Sequence, residues 1–157
     1  MDAIDAIVTR NYFGRQIASA EKPIAVETDS RYMKDILDFA EKHTWSIGSP
    51  NASPNQSIAE RSLPVYGTGT TGETGDSLRE KLKSSTGVFI RAPIVEKTGS
   101  STEVFASVVD SLNNAVTVGI QESNNRLFTA FHPELTSNWG WHQYFVAMVL
   151  NHYTLKS

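Results

Sequence analysis

From Gly87 to Phe131 the chain runs as short apolar segments separated by turn residues, a pattern that commits it to a sheet-based fold. Val88-Phe89-Ile90 reads as a short buried strand closed by Arg91-Ala92-Pro93. Val104 to Val109 and Ala115 to Ile120 are β-branched runs separated by Asn113-Asn114, a turn signal. Arg126 to Phe131 is a further strand after Asn124-Asn125. Near-continuous apolar strands of this kind suit a sheet covered on both faces. A helix over Asn138 to Tyr153 closes the chain, with Phe145, Met148 and Val149 on one side.

The first part of the chain carries less regular structure. Ile4 to Val8 and Ile24 to Val26 read as short strands, with a polar turn region around Gly14-Arg15-Gln16 between them. Asp29 to His43 is a helix capped by Asp29 or Ser30, with Met33, Ile36, Leu37 and Ala40 on one apolar face. Residues 46–75 are dominated by Ser, Asn, Pro, Gly and Thr and read as a long loop-rich insertion. Asp76 to Ser84 is a short helix with Asp76 as cap and Leu78 and Leu82 one turn apart. The sum is an α/β fold in a single domain of 157 residues.

The net charge of -3 argues against a nucleic-acid or anionic-membrane partner. No apolar run approaches the length of a membrane span. The start, Met1-Asp2-Ala3-Ile4-Asp5, lacks the basic and apolar regions of a signal peptide, so a cytoplasmic location is expected. There is no Cys, which removes disulfides, thiolate metal sites and a Cys nucleophile from these residues.

The sharpest local signal is Phe131-His132-Pro133-Glu134-Leu135-Thr136, directly after a strand. A His that shuttles protons needs its second ring nitrogen held by an acceptor. In extended backbone, residues two apart point to the same side, and Pro133 favours extended geometry at His132. His132 and Glu134 are therefore expected to meet at a strand's C-terminal end, where open α/β sheets bind ligands. On spacing alone, an incidental surface turn explains the pair as well.

Other patterns are weaker. Gly67-Thr68-Gly69-Thr70-Thr71-Gly72 matches a dinucleotide fingerprint, but neither a strand before it nor a helix after it supports that reading. Asn51-Ala52-Ser53 and Asn55-Gln56-Ser57 are sequons with no secretory context. His142 and His152 lie nearly in phase on the last helix, but a metal site needs more ligands, so solvent-facing or interface histidines are expected. Trp139 and Trp141, at that helix's start, fit core packing or a partner contact.

Three segments in order give a family resemblance. Arg10-Asn11-Tyr12-Phe13-Gly14-Arg15-Gln16 resembles an Arg-Asn-x-Phe-Gly-Arg-Gln stretch of the glutaminase subunits of pyridoxal 5'-phosphate synthases. Gly87-Val88-Phe89-Ile90-Arg91-Ala92-Pro93 resembles a second stretch of that family, and Phe131-His132-Pro133-Glu134 its third. These proteins are class I glutamine amidotransferases. The resemblance covers residues 1 to about 20 and 86 to about 153, and the stretch of about 21–85 is atypical of the family.

The resemblance implies a flavodoxin-like α/β domain, hydrolysis of L-glutamine, and ammonia supplied to a synthase subunit. His132 matches the catalytic His, Glu134 the Glu that orients it, and Arg10, Ile90 and Arg91 the glutamine-contacting residues. An Arg fork suits an α-carboxylate, since it offers two parallel hydrogen bonds. No cofactor and no metal are implied.

The family's front strands, its Gly-Gly-Glu-Ser turn and its Gly-Thr-Cys-Ala-Gly nucleophile turn have no match here. The resemblance is thus to a domain truncated at its N-terminal side. Such a chain is expected to be inactive alone and prone to aggregate, because its strand faces and edges would be bare. A non-catalytic remnant, or a regulatory protein that still binds the synthase subunit, is the competing expectation.

Overall fold

The computed structural model describes residues 4–13, 20–43 and 77–155. The loop-rich stretch of residues 46–75, the Gly67 motif, both sequons and Asp76 lie outside them.

Eight strands and three α-helices are present among the described residues. β1 is Ala6–Thr9, β2 Ala20–Pro23, β3 Ala25–Val26, β4 Thr86–Phe89 and β5 Ile94–Thr98. β6 is Thr102–Val109, β7 Ala115–Glu122 and β8 Arg126–Thr129. The helices are α1 (Arg31–Lys42), α2 (Leu78–Lys83) and α3 (Gly140–Thr154), with a 3-10 turn at Pro133–Leu135. Six strands form the main sheet in the order β1-β5-β7-β6-β3, with β8 joined to β7, while β2 and β4 form a separate pair. Every one of these pairings is antiparallel.

The β6–β7 hairpin is the spine of the sheet, and Asp110 makes its turn. One carboxylate oxygen of Asp110 accepts from the backbone N–H of Leu112 and Asn114, each at 2.8 Å. That local bonding is why Asp and Asn dominate such turns. Val118, Gly119, Ile120 and Gln121 are all buried, so β7 is covered on both faces, as apolar continuity predicts. Toward the β1 edge the cover thins: Ile7 and Val8 of β1 and Glu96 to Thr98 of β5 are exposed.

Two strands carry no clear apolar signal in the sequence. In β5 only Ile94 and Val95 are buried. The strand exists through backbone pairing with β1 and β7. β2 contains Glu21, Lys22 and Pro23 and pairs with β4 at the margin, where Pro is tolerated.

The helix ends also differ from expectation. Ser30 precedes α1, yet its side chain makes no capping bond. A free N–H of the first turn, that of Tyr32, is taken instead by the Glu103 carboxylate of β6 at 3.2 Å. Ser77, not Asp76, caps α2, accepting from the Glu80 N–H at 3.3 Å. α3 begins at Gly140 because Asn138 acts just before it. The Asn138 amide oxygen accepts from the Gly140 N–H, and its amide nitrogen donates to the Lys81 carbonyl at 2.7 Å.

The core lies between the helices and the sheet. α1 contributes Met33, Ile36, Leu37 and Phe39, and α3 contributes Trp141, Tyr144, Ala147 and Met148. The expected apolar side of α3 needs correction. Met148 is buried, but Phe145 and Val149 point outward, 51% and 37% exposed.

Candidate functional site

A row of aromatic rings runs beneath the three sequence segments that suggested a site. Phe13 follows the Arg10 turn, Phe89 ends β4 just before Ile90-Arg91, and Phe131 immediately precedes His132. Phe13 and Phe89 have ring centroids 4.7 Å apart, Phe89 and Phe131 6.1 Å, and Phe131 and Trp141 5.2 Å. Phe89, Phe131 and Trp141 are buried. Tilted and edge-on contacts at these spacings are the favoured ring geometries. Segments far apart in sequence are thus anchored on one continuous core.

Backbone bonds complete the convergence. The His132 N–H donates to the Val88 carbonyl at 3.0 Å, which ties the His segment to β4. The Tyr12 N–H donates to the Ala92 carbonyl at 3.1 Å, which ties the Arg10 turn to the Arg91 turn. Gly87 permits the close approach. A Cβ there would sit 2.9 Å from Phe131 Cβ and 2.8 Å from the Ile24 side chain. The Tyr12 hydroxyl also donates to Asp110 at 2.7 Å, fastening the Arg10 turn to the β6–β7 hairpin. The backbone N–H of Asn114 and the Tyr12 hydroxyl hold the Asp110 carboxyl below its ordinary range, while the same contact raises the Tyr12 phenol.

His132 and Glu134 meet, but not by strand alternation. His132 is extended, with φ -100° and ψ 93°, and the chain then enters the 3-10 turn at Pro133. The turn folds Glu134 back so that His132 Nδ1 and Glu134 Oε1 lie 2.9 Å apart. The turn is held by the Leu135 N–H on the His132 carbonyl, and by the Thr136 N–H and hydroxyl on the Pro133 carbonyl. The His132 contact is the main cause that holds the Glu134 carboxyl below its usual range, and His142 adds a weaker pull. Both side chains are substantially open to solvent, 41% for His132 and 59% for Glu134. An imidazole gripped at Nδ1 by a carboxylate presents its Nε2 for proton transfer.

Arg10 and Arg91 are exposed, on the turns after β1 and β4, and Ile90 is half-buried beside Arg91. Arg91 has φ 49°, and Asn11, next to Arg10, has φ 57°. A positive φ at a bulky residue such as Arg91 is uncommon and marks a backbone held by its surroundings. No hydrogen bond or ion pair joins either Arg to His132 or Glu134 among the described residues.

Sequence reasoning did not place His142 here. Its ring packs on Trp139 with centroids 5.2 Å apart, and its Nδ1 is buried without a hydrogen-bond partner among the described residues. It is half-buried rather than solvent-facing. Its place on α3, beyond the turn that carries Glu134, is a relation of the fold that helical phase alone does not show. Among the described residues, no group of three or more His, Asp or Glu is placed to hold a metal ion, and no helix is long and apolar enough to cross a membrane.

Residues 64–151 match the model of the SNO glutamine amidotransferase family. A pyridoxal 5'-phosphate synthase subunit PdxT of Dehalococcoides mccartyi is 51% identical over 61 residues, 39% of this chain and 29% of the relative. A probable pyridoxal 5'-phosphate synthase subunit pdx2 of Dictyostelium discoideum is 28% identical over 98% of this chain and 47% of its own length. The crystal structure of a glutamine amidotransferase superposes with a TM-score of 0.50 at 26% identity, covering 92% of this chain and 46% of that one. The chain therefore spans less than half the length of these relatives.

Proposed function

Given that the chain belongs to the SNO glutamine amidotransferase family, we propose that it serves as the glutaminase part of a pyridoxal 5'-phosphate synthase. In this reading it works in the cytoplasm, and its partner is the synthase subunit that consumes the ammonia. The observation that carries the reading is the 2.9 Å contact between His132 Nδ1 and Glu134 Oε1, within the family-matched region.

The chemistry divides among named groups. A thiolate attacks the side-chain amide carbon of glutamine, and the C–N bond breaks. His132 Nε2 takes the thiol proton and returns one to the leaving nitrogen, releasing ammonia. Water then cleaves the thioester and yields glutamate. Glu134 fixes the ring and stabilises its protonated form. Arg10 and Arg91 hold the α-carboxylate, and Ile90 contributes its backbone and apolar flank. The thiol must come from outside these residues, because the chain has no Cys. The chain alone is therefore inactive.

The same absence favours a second reading, a non-catalytic protein that binds the synthase subunit and regulates it. Ammonia release from glutamine separates the two. The purified chain, with or without the synthase subunit, is expected to release none. Joined to a Cys-bearing remainder of the domain, it should become active, and His132→Ala should then lose several orders of magnitude in rate. Release by the chain alone would overturn the need for an outside thiol. Binding to the synthase subunit, with silence in every combination, would favour the regulatory reading.

A further inference from the structure

Two arginines stand apart among the described residues. Arg31, Arg79 and Arg126 each pair with a carboxylate. Arg10 and Arg91 are exposed and have no hydrogen bond or ion pair among the described residues. Two unanswered guanidinium groups suit an anionic ligand, but a shared grip needs their turns held at a fixed spacing. The Arg91 turn is rooted in buried neighbours, Phe89 before it and Ala92 and Ile94 after it. The Arg10 turn is not. Arg10, Asn11 and Tyr12 are all exposed, and so are Ile7 and Val8 of the strand before them. Burial therefore does little to hold Arg10 in place.

Tyr12 supplies what burial does not. Its backbone N–H donates to the Ala92 carbonyl at 3.1 Å, beside Arg91. Its hydroxyl donates to Asp110 Oδ2 at 2.7 Å, across 98 residues of sequence. Asp110 is 9% exposed, and its other carboxylate oxygen is fixed by the N–H groups of Leu112 and Asn114. The acceptor is thus rigid before Tyr12 reaches it. A hydrogen bond to a carboxylate is roughly twice as strong as one between neutral groups. Tyr12 is 39% exposed, so water alone would satisfy its hydroxyl; the carboxylate adds direction. The Asn114 N–H and the Tyr12 hydroxyl lower the Asp110 carboxyl, and the same bond raises the Tyr12 phenol, so the bond persists across neutral pH.

We propose that Tyr12 and Asp110 are positioning residues, a latch that sets the Arg10 turn against the Arg91 turn so that both guanidinium groups reach one α-carboxylate. The proposal rests on the reading of Arg10 and Arg91 as residues that hold glutamine. It adds that their spacing is imposed from the β6–β7 hairpin and not by the Arg10 turn itself. Neither Tyr12 nor Asp110 touches the ligand. Their effect falls on affinity for the carboxylate and not on proton transfer at His132.

The test titrates the full chain with L-glutamine, followed in its amide NMR spectrum, and measures amide exchange in the free chain. Tyr12→Phe deletes only the hydroxyl. It should speed exchange of the amide at that position about 10-fold, leave the β6–β7 amides unchanged, and weaken glutamine binding about 10-fold. In an Arg10→Ala background the same substitution should have no further effect on binding, because the latch acts through Arg10. Lys22→Met removes another bond to the end of that hairpin, from Lys22 Nζ to the Val109 carbonyl at 3.0 Å, and leaves the Arg10 turn alone. It should keep binding within about twofold. If Arg10→Ala weakens binding and Tyr12→Phe does not, the latch is overturned and the glutamine reading stands. An unchanged amide exchange in Tyr12→Phe would overturn the latch as well. So would an equal loss in Lys22→Met, or an additive loss in the Arg10→Ala background, since either traces the effect to general loosening. Binding that survives both Arg10→Ala and Arg91→Ala, or no binding at all, would overturn the glutamine reading and the latch with it.

Discussion

α1 and α3 pack against each other in the core, yet their outer faces are opposites. α1 turns Met33, Ile36, Leu37 and Phe39 inward and leaves Arg31, Lys34, Asp35, Glu41 and Lys42 exposed. α3 turns Trp141, Tyr144 and Met148 inward and leaves Phe145 and Val149 in the open. The first helix is a finished surface. The second is finished on one side only, and the side it leaves open flanks the turn that carries Glu134. Completeness of packing and location of the candidate site are thus linked.

Paired truncations test that contrast most severely. Leu37→Ala removes a fully buried side chain from the inner face of α1 and should cost about 2–5 kcal/mol in chemical denaturation. Phe145→Ala removes a larger side chain from the outer face of α3 and should change stability by less than about 0.5 kcal/mol in the isolated chain. Equal penalties in the isolated chain would show that the outer face of α3 is already covered.

The inner face of α3 should prove as intolerant of change as that of α1. The buried Tyr144 hydroxyl donates to Gln121 Oε1 at 2.5 Å, and Gln121 Nε2 donates to the Ser123 carbonyl at 3.0 Å. Burial raises the Tyr144 phenol far above its ordinary range, so it stays a donor throughout accessible pH. Tyr144→Phe leaves Gln121 Oε1 buried and unanswered and should cost about 1–3 kcal/mol. A neutral result would show that water reaches this part of the core.

What the sequence discloses follows the same division between inner and outer surfaces. β6, β7 and the inner face of α1 are legible because burial imposes a pattern on the residues. β5 is not, since only Ile94 and Val95 are buried, Glu96 and Lys97 face solvent, and backbone pairing with β1 carries the rest of the strand. Ser77 as a cap is readable in kind but not in position, because Asp76 competes for the role one residue earlier. The pairing of His132 with Glu134 is legible, and its means is not. The 3-10 turn depends on bonds from Leu135 and Thr136 that leave no periodicity. The aromatic row from Phe13 to Trp141 joins distant segments, and no local pattern records such contacts.

The outer face of α1 allows a smaller test. Arg79 of α2 reaches across to Asp29 at 3.1 Å, Asp38 at 3.5 Å and Glu41 at 3.6 Å, and donates to the Thr28 carbonyl. The three carboxylates are open to solvent, so water and salt weaken each pair. Arg79→Ala should cost about 1 kcal/mol, less in high salt, with most of the remainder due to the lost bond to buried Thr28. A salt-independent loss would assign the effect to packing of the arginine stem.

The finest comparison sets the two histidines that act on Glu134 against each other, one on its own turn and one on α3. The folded Glu134 carboxyl lies below its ordinary range, and the hydrogen bond from His132 is the first cause. A depressed carboxylate stabilises the fold fully above its unfolded range, near pH 4.3, and loses that contribution as pH falls through the folded value. The pair's grip on the ring should therefore persist through neutral pH and fail only in acid. Because both side chains are exposed, the effect on global stability should be slight. The sensitive readout is the Glu134 side-chain carboxyl shift in a carbon-detected titration. His132→Ala should raise its midpoint toward the ordinary value, with the backbone N–H of Glu134 still holding it down in part, and His142→Ala should move it in the same direction by less. A larger response to His142→Ala would mean that α3, not the local turn, governs the carboxylate. The reading of Glu134 as the group that orients His132 would then fail.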